Sequence, residues 1–252
     1  MEYKDWDKKV IANFDNAANV YDKYSFIQKY FAKKIIGLIK ELTIPNGEWF
    51  DLGSGTGFLA DEIENEFINI KVSRVDLSKN MLSQNKKNSE IILWDLNFDL
   101  PPNLKNSTLL ISSFCIHWLK TPTNAIKNWY QNLVTGGFLI LIFPTNKSFP
   151  EWKVTCKENN IEYGGGNFPS SNSIKSLFKE KEILLIKNYS YEETFINIYK
   201  LFKSIVNTGA QTTLSKRMTV KELKVMQERW PKNNNEEVTL TWDINIFIIK
   251  KI

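Results

Sequence analysis

The sequence predicts an α/β protein built on a seven-stranded, mostly parallel β-sheet with helices on both faces. Short apolar segments alternate with helical segments through the first 145 residues, which is typical of a parallel sheet covered on both sides. A glycine-rich segment, Gly53-Ser54-Gly55-Thr56-Gly57, follows the first of these strands. No crossover helix is needed for the last strand, which we expect to pair antiparallel at the edge of the sheet.

The first part of the chain supplies five of the seven strands. Apolar side chains at three- and four-residue spacing predict a helix over residues 11–42, and Pro45-Asn46-Gly47 ends it. Strands are expected at residues 48–52, 70–75, 91–94, 108–112 and 137–143, with helices at residues 58–67, 79–86 and 123–133. Ser78 precedes the helix at 79–86 and is expected to cap it.

After Phe143 the regular alternation of apolar strands and helices ends. The rest of the sequence predicts helices that form a lid over the carboxyl edge of the sheet. A strand near residues 182–186, helices at 195–206 and 219–230, and a long strand at 238–249 are expected. The whole chain, residues 1–252, is therefore expected to be a single domain. Its parts are an N-terminal helical segment (1–44), a sheet core (48–145), a region of lid helices with one strand (146–237) and a C-terminal edge strand (238–252).

The composition argues against several classes of protein. Hydrophobic residues make up 42% of the chain and charged residues 24%, as in ordinary globular domains. The apolar runs are far shorter than the ~20 residues of a membrane-spanning helix, and the charged N-terminus has no signal-peptide core. One histidine and two cysteines argue against a metal site, a histidine triad or a disulfide framework. We expect a cytoplasmic monomer with no metal and no membrane contact.

The net charge is +5, from 33 basic and 28 acidic residues. Nucleic-acid-binding proteins carry a cluster of basic residues on one surface. The excess of basic over acidic residues in this chain is too small to predict such a cluster. No nucleic-acid partner is expected.

Acids stand at the ends of the first three predicted strands. Asp51 precedes the glycine-rich segment, Asp76 ends the second strand and Asp95 ends the third. Alternate glycines allow positive φ and a close approach of backbone to ligand. The carboxyl ends of parallel strands converge on one crevice, where Asp76 can accept hydrogen bonds from ribose hydroxyls and Asp95 one from an adenine amino group. Each acid alone is explained as a cap or a loop residue, but the ordered set predicts a nucleoside-binding site.

This set resembles the class I S-adenosylmethionine-dependent methyltransferases, whose fold is Rossmann-like. The segment Val134-Thr135-Gly136-Gly137-Phe138 is similar to their turn into the fifth strand. The resemblance covers residues 48–145 and implies S-adenosylmethionine as the cofactor. The cofactor-binding residues that it implies are Gln28, Asp51, Gly53, Ser54, Gly55, Gly57, Asp76, Leu77, Met81, Asp95, Leu96 and Ser113.

A closer resemblance spans most of the chain. Residues 14–21, with Gln28 after them, look like the N-terminal helix motif of the malonyl-[acyl-carrier protein] O-methyltransferases of biotin synthesis. Further similar segments are residues 114–118, 148–151, 167–169, 202–210, 219–231 and 240–242. Thr108 and Ser113 depart from that family, which usually has Asp and often Asn there. The resemblance implies methylation of the free carboxyl of a malonyl thioester on acyl carrier protein.

Few side chains are needed to methylate a carboxylate, which is already ionised at pH 7 and needs no strong base. Tyr21, Lys203 and Arg217 are candidates to hold the acceptor. His117 has a pKa suited to a general base, although this reaction does not require one. The simpler alternatives are packing over the cofactor for Tyr21 and a solvated charge for Lys203 and Arg217.

Acyl carrier proteins are strongly acidic, and a basic rim would steer them to the site. The basic residues of the C-terminal region are Lys200, Lys203, Lys216, Arg217, Lys221 and Lys224; the alternative is a solvated lysine-rich face. Two other functions stay open: a methyltransferase of small molecules such as quinones or fatty acids, and a methyltransferase-like protein that binds without catalysis. A nucleic-acid methyltransferase is disfavoured, because residues 112–115 lack an Asn/Asp-Pro-Pro-aromatic element.

Overall fold

The computed structural model describes residues 6–85, 89–213, 215–216 and 218–252. A seven-stranded sheet forms its centre, with strands β1 (Trp49–Leu52), β2 (Val72–Asp76), β3 (Ile91–Leu93), β4 (Ser107–Ser113), β5 (Leu133–Pro144), β6 (Ile183–Phe195) and β7 (Val238–Lys250). Their order is β3-β2-β1-β4-β5-β7-β6. The pairs among β1 to β5 are parallel, and β7 is antiparallel to both of its neighbours. The predicted fold class, a mostly parallel Rossmann-like sheet with an antiparallel strand, is confirmed.

The predicted position of the last strand, residues 238–252 at the edge, is wrong. β7 is antiparallel as expected, but it lies between β5 and β6, so β6 forms the edge. The reason is visible in the run Ile244-Asn245-Ile246-Phe247-Ile248-Ile249, which is buried throughout. Such a nearly continuous apolar run suits a strand covered on both faces. β6 is longer than predicted because it pairs with β7 along almost its whole length.

The N-terminal segment consists of two helices, α1 (Trp6–Tyr24) and α2 (Phe26–Lys40), where one was predicted. The break is at Ser25, whose φ and ψ are −86° and 52°. Ser25 is buried and its hydroxyl donates a hydrogen bond to the carbonyl oxygen of Tyr21. A serine hydroxyl that bonds to the preceding turn competes with regular helix geometry, while the apolar spacing continues through the break.

Helices α3 (Phe58–Glu66), α4 (Lys79–Leu82) and α5 (Pro122–Gln131) connect the strands of the core. The predicted cap is present: the Ser78 hydroxyl accepts a hydrogen bond from the backbone N–H of Met81 at 3.1 Å. α4 ends earlier than predicted. Alternate residues of β4, β5 and β7 face two apolar cores, of which one packs against α2 and α3 and the other against α5.

The remaining helices are α6 (Pro150–Glu158), α7 (Ser171–Lys175), α8 (Ile198–Asn207) and α9 (Val220–Arg229). Helices α6, α8 and α9 share a third apolar core with the start of β7, which includes Trp152, Leu201, Met226 and Leu240. The start of β7 pairs beside the end of β5, so this helical region lies at the carboxyl edge of the parallel strands. Among the described residues, no helix is long and apolar enough to cross a membrane.

Candidate active site

The glycine-rich segment after β1 turns tightly at the carboxyl edge of the sheet. The backbone N–H groups of Gly53 and Ser54 both donate to the carbonyl oxygen of Val75, at 2.8 and 3.0 Å. Gly55 has a φ of 55°, and a Cβ placed there would have no atom of the described residues within 4 Å, apart from its neighbours in the chain. Its missing side chain therefore leaves open space for a ligand against the backbone.

Asp76 is fixed by the same turn. Its Oδ2 accepts a hydrogen bond from the N–H of Gly55 and its Oδ1 one from the N–H of Ser78, each at 2.8 Å. Burial raises the pKa of this carboxyl, and the backbone donors oppose that shift. Each carboxylate oxygen can accept more than one hydrogen bond, so Asp76 is held in place with acceptor capacity left for a ligand.

Asp51 is the most deeply buried acid of the site, with 1% of its surface exposed. Burial raises its pKa to about 7; the nearby Arg74 lowers it and the Asp76 carboxylate raises it. The Arg74 guanidinium is already paired with Asp61 and Glu64, at 2.7 and 3.1 Å. Asp51 is therefore only partly ionised at neutral pH in the absence of a ligand.

A cavity of about 1010 Å³, counting the space open to solvent, lies above these residues. We call it the cofactor pocket. The predicted cofactor residues that line it are Gln28, Asp51, Gly53, Ser54, Gly55, Asp76, Leu77, Met81, Asp95, Leu96 and Ser113. Gly57 does not line it. That glycine precedes α3 with a φ of 89°, and a Cβ there would lie 2.1 Å from Oδ1 of Asn85, so its role is to let the turn pack.

Several polar atoms in this cavity are buried without a hydrogen-bond partner among the described residues, namely Oε1 of Gln28, Oδ2 of Asp51 and Oγ of Ser54. Buried polar atoms are normally hydrogen-bonded, so these atoms indicate a polar ligand. Beside them lie Trp94, Leu96 and Leu119, which offer apolar surface. The cavity thus fits a ligand with an ammonium group, vicinal hydroxyls and a flat ring, which are the groups of S-adenosylmethionine.

Helix α1 covers the cofactor pocket, and side-chain hydrogen bonds join it to three other parts of the fold. Asp15 accepts a hydrogen bond from the Ser78 hydroxyl. Asn13 donates to Oγ1 of Thr212 at 2.8 Å, and Nε1 of Trp6 donates to the carbonyl oxygen of Trp118 at 3.0 Å. These contacts reach α4, the loop after α8 and the 3-10 helix Ile116–Trp118, so they hold α1 in place as one wall of the pocket.

A second cavity of about 1170 Å³, which we call the acceptor pocket, shares one lining residue, Gln28, with the cofactor pocket. Its walls are largely aromatic, with Phe149, Trp152, Phe195, Phe202 and Trp242. Among its described lining residues, Glu193 is the single acid and Lys216 the single base. Glu193 could not be selected from its sequence context, because the predicted strand ended at residue 186.

The three predicted acceptor residues that the structure describes, Tyr21, Lys203 and His117, are not brought together. Tyr21 lines the cofactor pocket and stacks on Phe58 with ring centroids 6.1 Å apart; burial first, and then the Asp76 charge, raise its pKa, so its phenol is a donor at neutral pH. Lys203 is exposed on α8 and lines neither pocket. Arg217 lies outside the described residues.

His117 lines neither the cofactor pocket nor the acceptor pocket. It lines a third cavity of about 830 Å³ together with Phe168 and Trp118. Burial lowers its pKa to about 3, so the imidazole is neutral at pH 7. Its Nδ1 has no hydrogen-bond partner among the described residues.

Comparisons with known proteins agree with this geometry. A family model described as a methyltransferase domain matches residues 50–141. The chain is 25% identical over 237 residues to malonyl-[acyl-carrier protein] O-methyltransferase 2 of Ilyobacter polytropus, covering 90% of each chain. It is 28% identical over 235 residues to the malonyl-[acyl-carrier protein] O-methyltransferase of Buchnera aphidicola, covering 91% of this chain and 93% of that one.

Among solved structures, the chain is similar to an S-adenosylmethionine-dependent methyltransferase of Thermotoga maritima, with a TM-score of 0.54 and 17% identity. The alignment covers 96% of this chain and 100% of the other. At this identity the likeness supports the fold alone.

Proposed function

We propose that this chain, an S-adenosylmethionine-dependent methyltransferase whose residues 50–141 match a methyltransferase domain model, methylates the free carboxylate of a malonyl thioester on acyl carrier protein. The observation that carries the proposal is the position of a pocket with aromatic lining next to the cofactor pocket, with Gln28 lining both. The similarity to malonyl-[acyl-carrier protein] O-methyltransferases over 90% of the chain supports it. We place the reaction in biotin synthesis and in the cytoplasm.

The cofactor-pocket residues have separable tasks in this proposal. Asp76 accepts hydrogen bonds from the ribose hydroxyls, Asp95 and Leu96 receive the adenine, and Asp51 faces the ammonium group. The cofactor supplies a methyl group on a positively charged sulfur. Because burial weakens solvent screening around Asp51 and Asp76, these two carboxylates hold a cationic ligand more strongly than surface acids would.

The acceptor brings its own nucleophile. A malonyl carboxylate is ionised at pH 7, so the protein only has to orient it and exclude water. The chain's single histidine, His117, lines another cavity, which fits an acceptor that needs no histidine base. Tyr21 is the candidate donor to the acceptor, and α1 and the helical lid keep water out. Positioning of this kind supplies a large part of many enzymatic rate enhancements.

The carrier protein needs a docking surface of opposite charge. Exposed lysines lie on α8, on α9 and in the segment between them: Lys200, Lys203, Lys216, Lys221 and Lys224. Lys216 also lines the acceptor pocket. A positive rim accelerates the encounter with an acidic partner, and methylation would remove the malonyl charge so that the acyl chain can be extended like an ordinary fatty acid.

The test is incubation of the purified protein with methyl-labelled S-adenosylmethionine and malonyl-acyl carrier protein. We expect a labelled, base-labile methyl ester on the carrier protein. Acetyl-acyl carrier protein, which has no free carboxylate, is the matched control and should stay unlabelled. Label in a quinone or a free fatty acid instead would favour the small-molecule methyltransferase. Cofactor binding without transfer to any acceptor would favour the non-catalytic binding protein.

A further inference from the structure

Helix α8 has an inner face that belongs to the fold and an outer face that meets solvent. On the inner face, Ile198 and Leu201 are buried in the third apolar core, and Phe202 and Ile205 line the acceptor pocket. The backbone N–H of Ile198 also donates to Oε1 of Gln227 on α9 at 3.0 Å. Because packing and this hydrogen bond hold α8, its outer face is a fixed surface beside the acceptor pocket.

The outer face of α8 combines apolar and basic side chains. Tyr199, Lys203 and Val206 are spaced at i, i+4 and i+7, so they lie on one side of the helix, and Lys200 lies next to them. Tyr199 and Val206 are each 49% exposed, and both lysines are exposed. In the described part of the chain, no salt bridge includes Lys200 or Lys203. We call these four residues the α8 stripe.

The α8 stripe reaches the acceptor pocket at Val206. Of the described residues that line this pocket, only Val206 and Lys216 are exposed. The pocket therefore opens to solvent beside these two side chains. A thioester carried on a larger molecule has to enter at such an opening, so the molecule that delivers it must bind nearby.

The charge around α8 favours an acidic partner. No Asp or Glu occurs between Glu193 and Glu222. The basic residues of this stretch are Lys200, Lys203, Lys216, Arg217 and Lys221. A partner segment that has acidic side chains beside apolar ones complements both features of the α8 stripe, whereas a purely charged partner would leave the apolar side chains uncovered.

We infer that the α8 stripe is the docking surface for the carrier protein, which binds it through a segment whose acidic side chains flank apolar ones and so delivers its thioester to the opening at Val206. This inference rests on the proposed function. The lysines steer the encounter, and salt screens their effect. Tyr199 and Val206 hold the complex by apolar burial, which salt does not screen, and tyrosine is among the side chains that most often dominate an interface.

The inference is tested by measuring kcat and KM for malonyl-acyl carrier protein in wild type, Tyr199→Ser and Tyr199→Phe, at about 0.1 M and about 1 M salt. Phenylalanine keeps the ring, and serine removes it. Ile68→Ser is the matched control, because Ile68 is also exposed but lies between α3 and β2, at the opposite edge of the sheet. Malonyl-pantetheine, a thioester without the carrier protein, reports on the pocket and the chemistry alone. Calorimetric affinity for S-adenosylmethionine checks that each variant is folded.

Relative to wild type, we expect Tyr199→Ser to raise the KM for malonyl-acyl carrier protein about tenfold at both salt concentrations. Tyr199→Phe and Ile68→Ser should resemble wild type. In all variants, kcat and the kcat/KM for malonyl-pantetheine should stay unchanged. A wild-type KM in Tyr199→Ser, or an equal loss with malonyl-pantetheine, would overturn the docking surface while leaving carboxyl methylation intact. A wild-type protein that forms no methyl ester on either substrate would refute the proposed function, and the docking surface with it.

Discussion

Asp51 links cofactor affinity to pH. Its pKa of about 7 means that the carboxyl is about one-tenth ionised at pH 6 and half ionised at pH 7. If only the ionised form holds the cofactor's ammonium group, the apparent affinity follows that fraction. We expect S-adenosylmethionine to bind about fivefold more tightly at pH 7 than at pH 6 by calorimetry. Asp51→Asn should bind weakly at both values, and a wild-type affinity that does not change with pH would contradict the assignment.

The same carboxyl affects stability in the absence of ligand. Its pKa rises from an ordinary 3.8 to about 7 on folding, so between these values the folded state holds a proton that the unfolded state releases. This stabilising contribution is complete below pH 3.8 and is lost as the pH rises through 7. We therefore expect Asp51→Asn to gain stability relative to wild type as the pH increases from 4 to 7. Denaturant unfolding at several pH values measures this difference.

Asp76 should carry a large share of cofactor affinity, because hydrogen bonds to a carboxylate are stronger than neutral ones. We expect Asp76→Ala to weaken S-adenosylmethionine binding at least tenfold, or ~1.4 kcal/mol, in calorimetry. Glu158, which is exposed on α6, provides the control, and Glu158→Ala should bind normally. An unchanged affinity in folded Asp76→Ala would remove this residue from the ribose site.

Variants of Tyr21 and His117 distinguish an acceptor that is already ionised, such as a carboxylate, from an acceptor that the enzyme must deprotonate. Tyr21→Phe removes a donor from the cofactor pocket and should lower kcat by about one to two orders of magnitude, since misplacing a reacting group by ~1 Å can cost a hundredfold. His117→Gln should keep most of kcat. The wild-type rate should have no pH limb that depends on His117, whose pKa is about 3. The reverse pattern in steady-state kinetics would favour an acceptor such as a phenol.

At the scale of elements, α1 controls access to the cofactor pocket. Asp15 joins this helix to α4 through Ser78 and the N–H of Asn80, the latter at 3.2 Å. A hydrogen bond of this kind contributes about 1 kcal/mol, so Asp15→Ala should raise the dissociation rate of S-adenosylmethionine about fivefold in stopped-flow measurements. Asn16→Ala, at an exposed position of the same helix, should dissociate like wild type; equal rates for both variants would mean that α1 is not fastened at this point.

The sequence predicted the elements that carry a strong local pattern. The strands β1 to β5 are short, apolar and separated by helices, and the Ser78 cap has a local signal. The break at Ser25 was missed because apolar spacing continues across it. The end of β6 was missed because Tyr189, Tyr191 and Glu193 face a half-covered edge, where burial is partial and no continuous apolar run marks the strand.

The residues of the site also divide into those with a local sequence signal and those without one. The acids Asp51, Asp76 and Asp95 could be found because each ends a strand, and the topology brings strand ends together. The acceptor pocket could not be predicted from the sequence, because its walls come from α1, α2, β6, β7 and the helical region, which are distant in sequence. The location of His117 in a separate cavity depends on the turn after β4 and has no sequence signal.

At the scale of the whole molecule, the charge distribution should govern the encounter with the carrier protein. Reversing Lys200 and Lys221 to glutamate should raise the KM for malonyl-acyl carrier protein several-fold without changing cofactor affinity. The difference should fade with salt, because the Debye length falls from about 10 Å at 0.1 M to about 3 Å at 1 M. Reversal of Lys71 and Lys105, which are exposed before β2 and β4 at the opposite edge of the sheet, makes the same charge change and should leave KM unaltered. Equal KM values for the two double variants at low salt would mean that the lysines of α8 and α9 are solvated surface residues and do not steer the carrier protein.

The contact between α1 and the loop after α8 has a thermodynamic consequence. The Asn13 side chain of α1 donates a hydrogen bond to Thr212, and a Cβ on Gly209 would lie 3.0 Å from the Asn13 carbonyl oxygen, so helix and loop are in close contact. Gln211 and Thr213 of that loop line the acceptor pocket, whereas α1 covers the cofactor pocket. We therefore expect a ligand that orders α1 to order the loop as well, and the reverse. By linkage, the factor by which cofactor strengthens acceptor binding must equal the factor by which acceptor strengthens cofactor binding, so the two sites form a reciprocal pair whose coupling energy resides in a few contacts around Asn13.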